Sequence, residues 1–200
     1  TNRTMKRKGI KMTLIVVSEN IDKMPKTYTF GFEMLNRLYR EEASVAGFLE
    51  GETVDVEDLM YGLVLPSGAD AAEALAIMVA GSNEEFAKLM NEKAAELGMK
   101  NTVFHTPAGL PTSMTGKGMD VSTAYDMFLL GKKAIEDKRI REWANEPELI
   151  LLNDKGEQVV YPSRNHLLGS HGIYGLKTGF HNLAGFNIIV SSQIGNIEII

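Results

Sequence analysis

The 200-residue chain contains no cysteine, which removes disulfides, thiol catalysis and cysteine-ligated metals at once. Histidine is scarce, at four residues, and His105, His166 and His171 fall at no metal-ligand spacing. No cofactor and no metal are expected. Aromatic residues make up only 8%, with a single tryptophan. No apolar run reaches the length of a membrane-spanning helix. The stretch from Met12 to Val17 is too short for a secretory signal, and no small-residue cleavage site follows it. There is no excess of positive charge either, since the formal net charge is −5, so a nucleic-acid partner is not expected. The one basic cluster is Arg3, Lys6, Arg7, Lys8 and Lys11, which reads as a solvated end.

What is present is ordinary globular material: 44% hydrophobic and 24% charged, enough to bury a core. The chain reads as one domain over residues 1–200, without internal repeats. Met12–Asn20 reads as a buried helix and Phe32–Arg40 as a weak one. Asp55 is a candidate N-cap for a helix over Val56–Leu63, with Asp58 in capping-box position. Pro66-Ser67-Gly68 breaks the chain before a helix over Ala69–Ala80, striped by Ala72, Leu75, Ala76 and Val79. Glu84–Leu97 is amphipathic and closes at Gly98. After a loop over Asn101–Gly118, Ser122 caps a helix from Thr123 to Ile135, and Arg139–Asn145 adds a short one. The period then changes to two. Leu149–Asn153 and Gln158–Tyr161 form a hairpin around Asp154-Lys155-Gly156, and Gly172–Phe180, Ala184–Ser192 and Ile197–Ile200 read as strands. Helices first and strands last imply an α+β class, an antiparallel sheet packed against a helical cluster.

Two short elements could carry chemistry. Lys177-Thr178-Gly179 lies on an expected strand and offers a cation, a hydroxyl and room for a substrate backbone. Such a lysine can equally be a solvated strand residue. Ser67 opens a helix, where its hydroxyl can cap the first turn or relay a proton near the positive end of the helix dipole. His181, which follows Lys177-Thr178-Gly179-Phe180, can be a loop histidine or a hydrogen-bond donor whose charge its neighbours set.

Taken together, these elements and their surroundings resemble a known family. The segments are Gly51-Glu52-Thr53, Leu65-Pro66-Ser67-Gly68-Ala69-Asp70-Ala71-Ala72, Leu97-Gly98-Met99-Lys100-Asn101-Thr102, Pro107-Ala108-Gly109-Leu110, Ser122-Thr123-Ala124-Tyr125-Asp126, Asn165-His166-Leu167-Leu168-Gly169, Gly175-Leu176-Lys177-Thr178-Gly179 and Ala184-Gly185-Phe186. In this order, from about Met12 to Ile200, the chain is similar to serine-type D-alanyl-D-alanine carboxypeptidases, the low-molecular-weight penicillin-binding proteins. The resemblance implies a β-lactamase/transpeptidase-like fold. It implies serine acyl-enzyme chemistry on peptidoglycan stem peptides ending in D-Ala-D-Ala, outside the cytoplasm in the cell envelope.

That family uses Ser-x-x-Lys, Ser-x-Asn and Lys-Thr-Gly motifs. By resemblance Ser67 and Lys177 are catalytic, while Thr178, Gly179, Phe180 and His181 bind substrate, with the Phe180 N–H as an oxyanion donor. Ala69 stands where asparagine is usual, and His181 where threonine is. The first motif fails: no serine or threonine in the chain has a lysine three positions later. Aligning on Met12-Thr13 puts Arg7 at the serine and Ile10 at the lysine, and aligning on Thr4-Met5-Lys6 puts Arg3 at the serine. Gly9 disfavours the helix that should carry this motif. The chain therefore reads as a carboxypeptidase-like domain without its nucleophile, with a non-catalytic stem-peptide binder or a truncated remnant as the alternative. β-Lactams are expected to bind only if the nucleophile is restored. Both ends also read as short, and an open sheet edge is expected to favour self-association.

Overall fold

The computed structural model describes residues 5–6, 9–110, 116, 118–153, 155–181 and 185–200, except for the side chains of residues 5, 6, 180, 181 and 185. Its centre is helix α1 (Gly9–Asn20), which is buried on every side: Met12, Leu14, Ile15, Val16 and Val17 are all 3% exposed or less. A helix this uniformly apolar has no solvent face, so the others pack around it. Helices α3 (Val56–Val64), α4 (Ala69–Ala80) and α5 (Asn83–Glu96) lie against it. The later pair α6 (Ala124–Glu136) and α7 (Lys138–Asn145) joins from the opposite half of the chain. Helix α2 (Phe32–Arg40) packs on α4, where Arg37 Nη2 meets the buried Glu73 carboxylate at 2.5 Å.

Helix α1 begins three residues earlier than its apolar pattern implies, at the glycine expected to oppose it. The reason is steric. A Cβ at Gly9 would stand 2.5 Å from Thr106 O, 2.5 Å from Gly109 N and 2.7 Å from Pro107 O. Only a glycine lets the helix start meet that backbone. One turn on, Thr13 Oγ1 donates to Pro107 O at 2.7 Å and ties the same loop down.

Caps explain most other boundaries. Asp55 accepts from Asp58 N at 2.9 Å and starts α3. The reciprocal bond of a full capping box, to the Asp58 carboxyl, is absent among the described residues. Ser82 accepts from Glu85 N and starts α5 one residue before the apolar pattern does. Thr123, not Ser122, caps α6 by accepting from Asp126 N at 3.2 Å. Ser122 instead belongs to a two-residue strand, and its hydroxyl meets Thr102 Oγ1 at 2.8 Å.

Among the described residues the strands fall into four antiparallel groups. β1 (Met5–Lys6) pairs with β4 (Val121–Ser122), and β2 (Thr27–Thr29) with β3 (Thr53–Asp55). The β5 (Glu148–Leu152) and β6 (Gln158–Pro162) hairpin forms as its alternation implies, although Asp154 of its turn lies outside the described residues. The main sheet runs β7 (Ile173–His181), β8 (Gly185–Ile194), β9 (Ile197–Ile199), in that order. α7 packs on β7 and α6 on β8. The class is α+β, with an antiparallel sheet against a helical cluster.

Candidate active site

Ser67 sits in the turn between α3 and α4, and the sequence around it is a bracket. Gly68, not Ser67, is the N-cap residue of α4, and no side chain caps that end. A Cβ at Gly68 would meet Asp70 Oδ1 at 2.6 Å, Ala46 N at 2.8 Å and Gly62 O at 2.8 Å, so glycine is required. The Asp70 carboxylate, fully buried, accepts from Ala46 N (2.8 Å), Gly47 N (3.0 Å) and Ala71 N (2.9 Å). Burial raises its pKa, while these backbone donors oppose the rise. Gly68 N donates to Gly62 O at 2.9 Å and Ala69 N to Ser44 O at 2.7 Å. Held by these bonds, Ser67 adopts a left-handed backbone, φ +63°, which serine rarely takes. Its hydroxyl is thereby turned out of the capping position and toward the sheet.

Lys177 comes to meet it. The β7–β8 register shifts between Tyr174 and Leu176, at Gly175 with φ +64°. Such a bulge re-aims the residues that follow it. The bulge is fixed by Asn165 Nδ2, which donates to Gly175 O at 3.0 Å, and by Ala144, 3.2 Å from where a Cβ at 175 would lie. Lys177 is 3% exposed; its ammonium donates to Ser67 Oγ and, at 3.2 Å, to Thr178 O. Ser67, Lys177, Thr178 and Gly179 all line one cleft of about 740 Å³. Phe180 and His181 continue β7 past that cleft, paired with Phe186 and Gly185, and their side chains lie outside the described residues.

A second lysine enters the same cleft, and sequence reasoning passed over it. Lys11 is 5% exposed, lines the cleft from the first turn of α1, and donates to Asn187 Oδ1 at 3.0 Å. Matching Met12-Thr13 put Ile10 at the lysine position; the structure puts a lysine one residue later. Adjacent helical positions differ by about 100° in direction, so a one-residue slip in register changes which side chain reaches a site. The signal was available: counting back three from Lys11 gives Lys8 at the serine position, again not a nucleophile. Arg3 and Arg7, the earlier assignments, lie outside the described residues. Ala69 is buried at 1% exposure and offers the cleft no hydrogen bond.

The rim is built from three other segments. Ser44 donates to Pro66 O at 3.3 Å and accepts from Arg164 Nη2 at 3.1 Å, joining two loops beside Ser67. Glu42 and His166 complete the mouth. No group of three or more histidines or carboxylates suited to a metal occurs among the described residues.

A serine hydroxyl bonded to one buried lysine, with a second buried lysine lining the same cleft, brings together group types that acyl-transfer sites use. The sequence profile of D-alanyl-D-alanine carboxypeptidases matches residues 10–200. The chain belongs to that family. It is 34% identical over 196 residues to the D-alanyl-D-alanine carboxypeptidase DacF of Bacillus subtilis, covering 94% of this chain and 48% of DacF. With DacC of Escherichia coli it shares 41% over 160 residues, 79% of this chain and 38% of DacC. The chain thus spans less than half the length of these relatives. Among solved structures, a mutant form of a Streptomyces DD-transpeptidase superposes with a TM-score of 0.85 at 26% identity, over 99% of this chain and 79% of that one. A penicillin-binding protein homologue of Mycobacterium tuberculosis gives 0.83 at 28%, over 98% and 72%. The carboxypeptidase fold is therefore the β-lactamase-like one. The profile match begins at Ile10, so the positions assigned to the first-motif serine lie outside it.

Proposed function

We propose that this carboxypeptidase-family domain binds peptidoglycan stem peptides ending in D-Ala-D-Ala, in the cell envelope, and that the 200 residues by themselves do not acylate. The observation that carries this reading is the Ser67 hydroxyl bonded to the buried Lys177 ammonium, with a second buried lysine, Lys11, lining the same cleft. Among the described residues β7 is an edge strand on the cleft side, with Lys177, Thr178 and Gly179 lining it. An extended peptide can add along such an edge through main-chain bonds. Lys177 and Thr178 then hold the terminal carboxylate, an anion beside an ammonium and a hydroxyl. In an acylating relative a serine attacks the penultimate carbonyl carbon, the oxyanion forms against backbone donors, and the D-alanine amine leaves with a proton. The Phe180 N–H is our oxyanion donor, and His181 flanks it. Ser67 and Lys177 supply the proton relay, but neither serine nor threonine stands three residues before either lysine.

Two measurements test this. Calorimetric titration with diacetyl-lysyl-D-Ala-D-Ala should show binding near or below about 1 mM, and Lys177→Met should weaken it by about tenfold or more. Equal binding by the two proteins, or none by the wild type, would overturn the reading. Fluorescent penicillin followed by intact-mass spectrometry should give no adduct with the wild type. Lys8→Ser creates Ser-x-x-Lys spacing with Lys11 and should acquire one, whereas Arg7→Ser with Ile10→Lys should not. Stoichiometric labelling of the wild type would identify an existing nucleophile, with Ser67 the first to map.

A further inference from the structure

Lys11 and the asparagine it contacts define a feature that the three family motifs do not contain. An ammonium has three donors and no acceptor, so the amide atom of Asn187 that meets Lys11 must be the carbonyl oxygen. The orientation of that amide, usually ambiguous, is thereby fixed. Its NH2 group points away from Lys11 and finds no acceptor among the described residues, while Asn187 lines the cleft. The neighbouring strand is shaped around it. Gly179 is the cross-strand partner of Asn187, and a Cβ at 179 would stand 2.9 Å from Asn187 Oδ1 and 3.3 Å from Nδ2. Directly paired residues of an antiparallel ladder share a face, so the third-motif glycine leaves the space that the amide fills. Meanwhile the amide expected from the second motif is missing, because Ala69 stands there.

We propose that Asn187 supplies this site's amide from β8. Its carbonyl oxygen positions the Lys11 ammonium, and its NH2 donates to a peptide carbonyl of the bound ligand. The second half rests on the stem-peptide reading above; the first half does not. Gly179 is retained for the Asn187 side chain, and the substrate backbone is not what requires it.

The test separates these halves. Competitive acetylation of the folded protein, with peptide mapping, reports how exposed each lysine amine is. Asn187→Ala should raise Lys11 labelling several-fold and leave Lys177 unchanged; Asn187→Asp, which keeps an acceptor, should not raise it. Titration with diacetyl-lysyl-D-Ala-D-Ala should weaken by about tenfold in Asn187→Ala, and Gly179→Ala should weaken it in the wild type but add nothing in the Asn187→Ala background. Unchanged Lys11 labelling in Asn187→Ala overturns the positioning role. Unchanged peptide affinity overturns the donor role, and an equal effect of Gly179→Ala in both backgrounds returns the glycine to the substrate. If the wild type binds no peptide, the stem-peptide reading fails together with the donor role, and the labelling still decides the fate of Lys11.

Discussion

The two walls of the cleft are built to different standards. On the helical side Ser67 hangs from a bracket in which Gly68, Asp70 and the 44–47 backbone leave no slack, over a helix whose Ala71, Ala72, Ala74, Leu75 and Ala76 are wholly buried. On the sheet side the inner face is packed, but Phe186 and Ile188, which line the cleft, are 88% and 43% exposed. The lesson is that one wall is inseparable from the fold and the other can change with little cost. A substitution on the first should be read as stability, and one on the second as binding.

The sharpest break of that contrast is Asp70→Ala. It strands the N–H groups of Ala46, Gly47 and Ala71, and should cost about 3 kcal/mol in chemical denaturation. Ile188→Thr on the exposed sheet wall should stay within about 0.5 kcal/mol. Similar losses from both would erase the difference between the walls. Next, Gly9→Ala forces a methyl against three backbone atoms of the 106–109 loop and should cost about 2 kcal/mol, with peptide binding reduced because Lys11 follows two residues later. A neutral result would show that the close approach is not maintained.

A smaller effect comes from Asp58. Its carboxyl is pushed up to about 6 by burial, then by Asp55, Glu57 and Glu52. The folded state therefore holds this proton more tightly than the unfolded chain does. The associated stability is fully present below the ordinary carboxyl value and is lost as pH rises through about 6. Since the group is partly exposed, the loss between pH 4 and 7 should be on the order of 1 kcal/mol. Asp58→Asn should remove that slope, and an unchanged pH profile would rule the group out. Smallest in stability, but visible in mass, is the far sheet edge. Among the described residues β9 pairs only with β8 and all three of its residues are exposed. Sedimentation of the 200-residue chain should show concentration-dependent association, and Ile197→Lys should reduce it while leaving the melting temperature unchanged. A monomer across the whole range would mean that the edge is covered in another way.

The helices were legible where a stripe and a punctuating residue agreed. Ala69–Ala80 has the expected limits because Gly68 and the left-handed Gly81 close it at both ends. The fold class followed from the change of period after Asn145. Short ladders were not legible: Thr27–Thr29 with Thr53–Asp55 is three residues a side, and its pairing is a tertiary fact. Ser122 and Thr123 are both good caps, and only the backbone decides between them. Of the site, Ser67 and Lys177 could be nominated from their motifs. Lys11 was missed because a match on Met12-Thr13 outweighed the direction in which each neighbour points, and Asn187 was missed because nothing on β8 marks it until Gly179 is seen beside it.

The bracket around Ser67 also holds the letters of its own motif in two different ways. Positions 67, 68 and 70 are bound by backbone geometry, close approach and three accepted hydrogen bonds, whereas residue 69 gives its main-chain N–H to Ser44 O and buries its methyl in the core. What holds position 69 is size: a larger side chain there must displace packed neighbours, although no side-chain hydrogen bond would be lost. An amide that leaves position 69 and one that enters at 187 therefore leave the same backbone behind them, and only the cleft records the exchange.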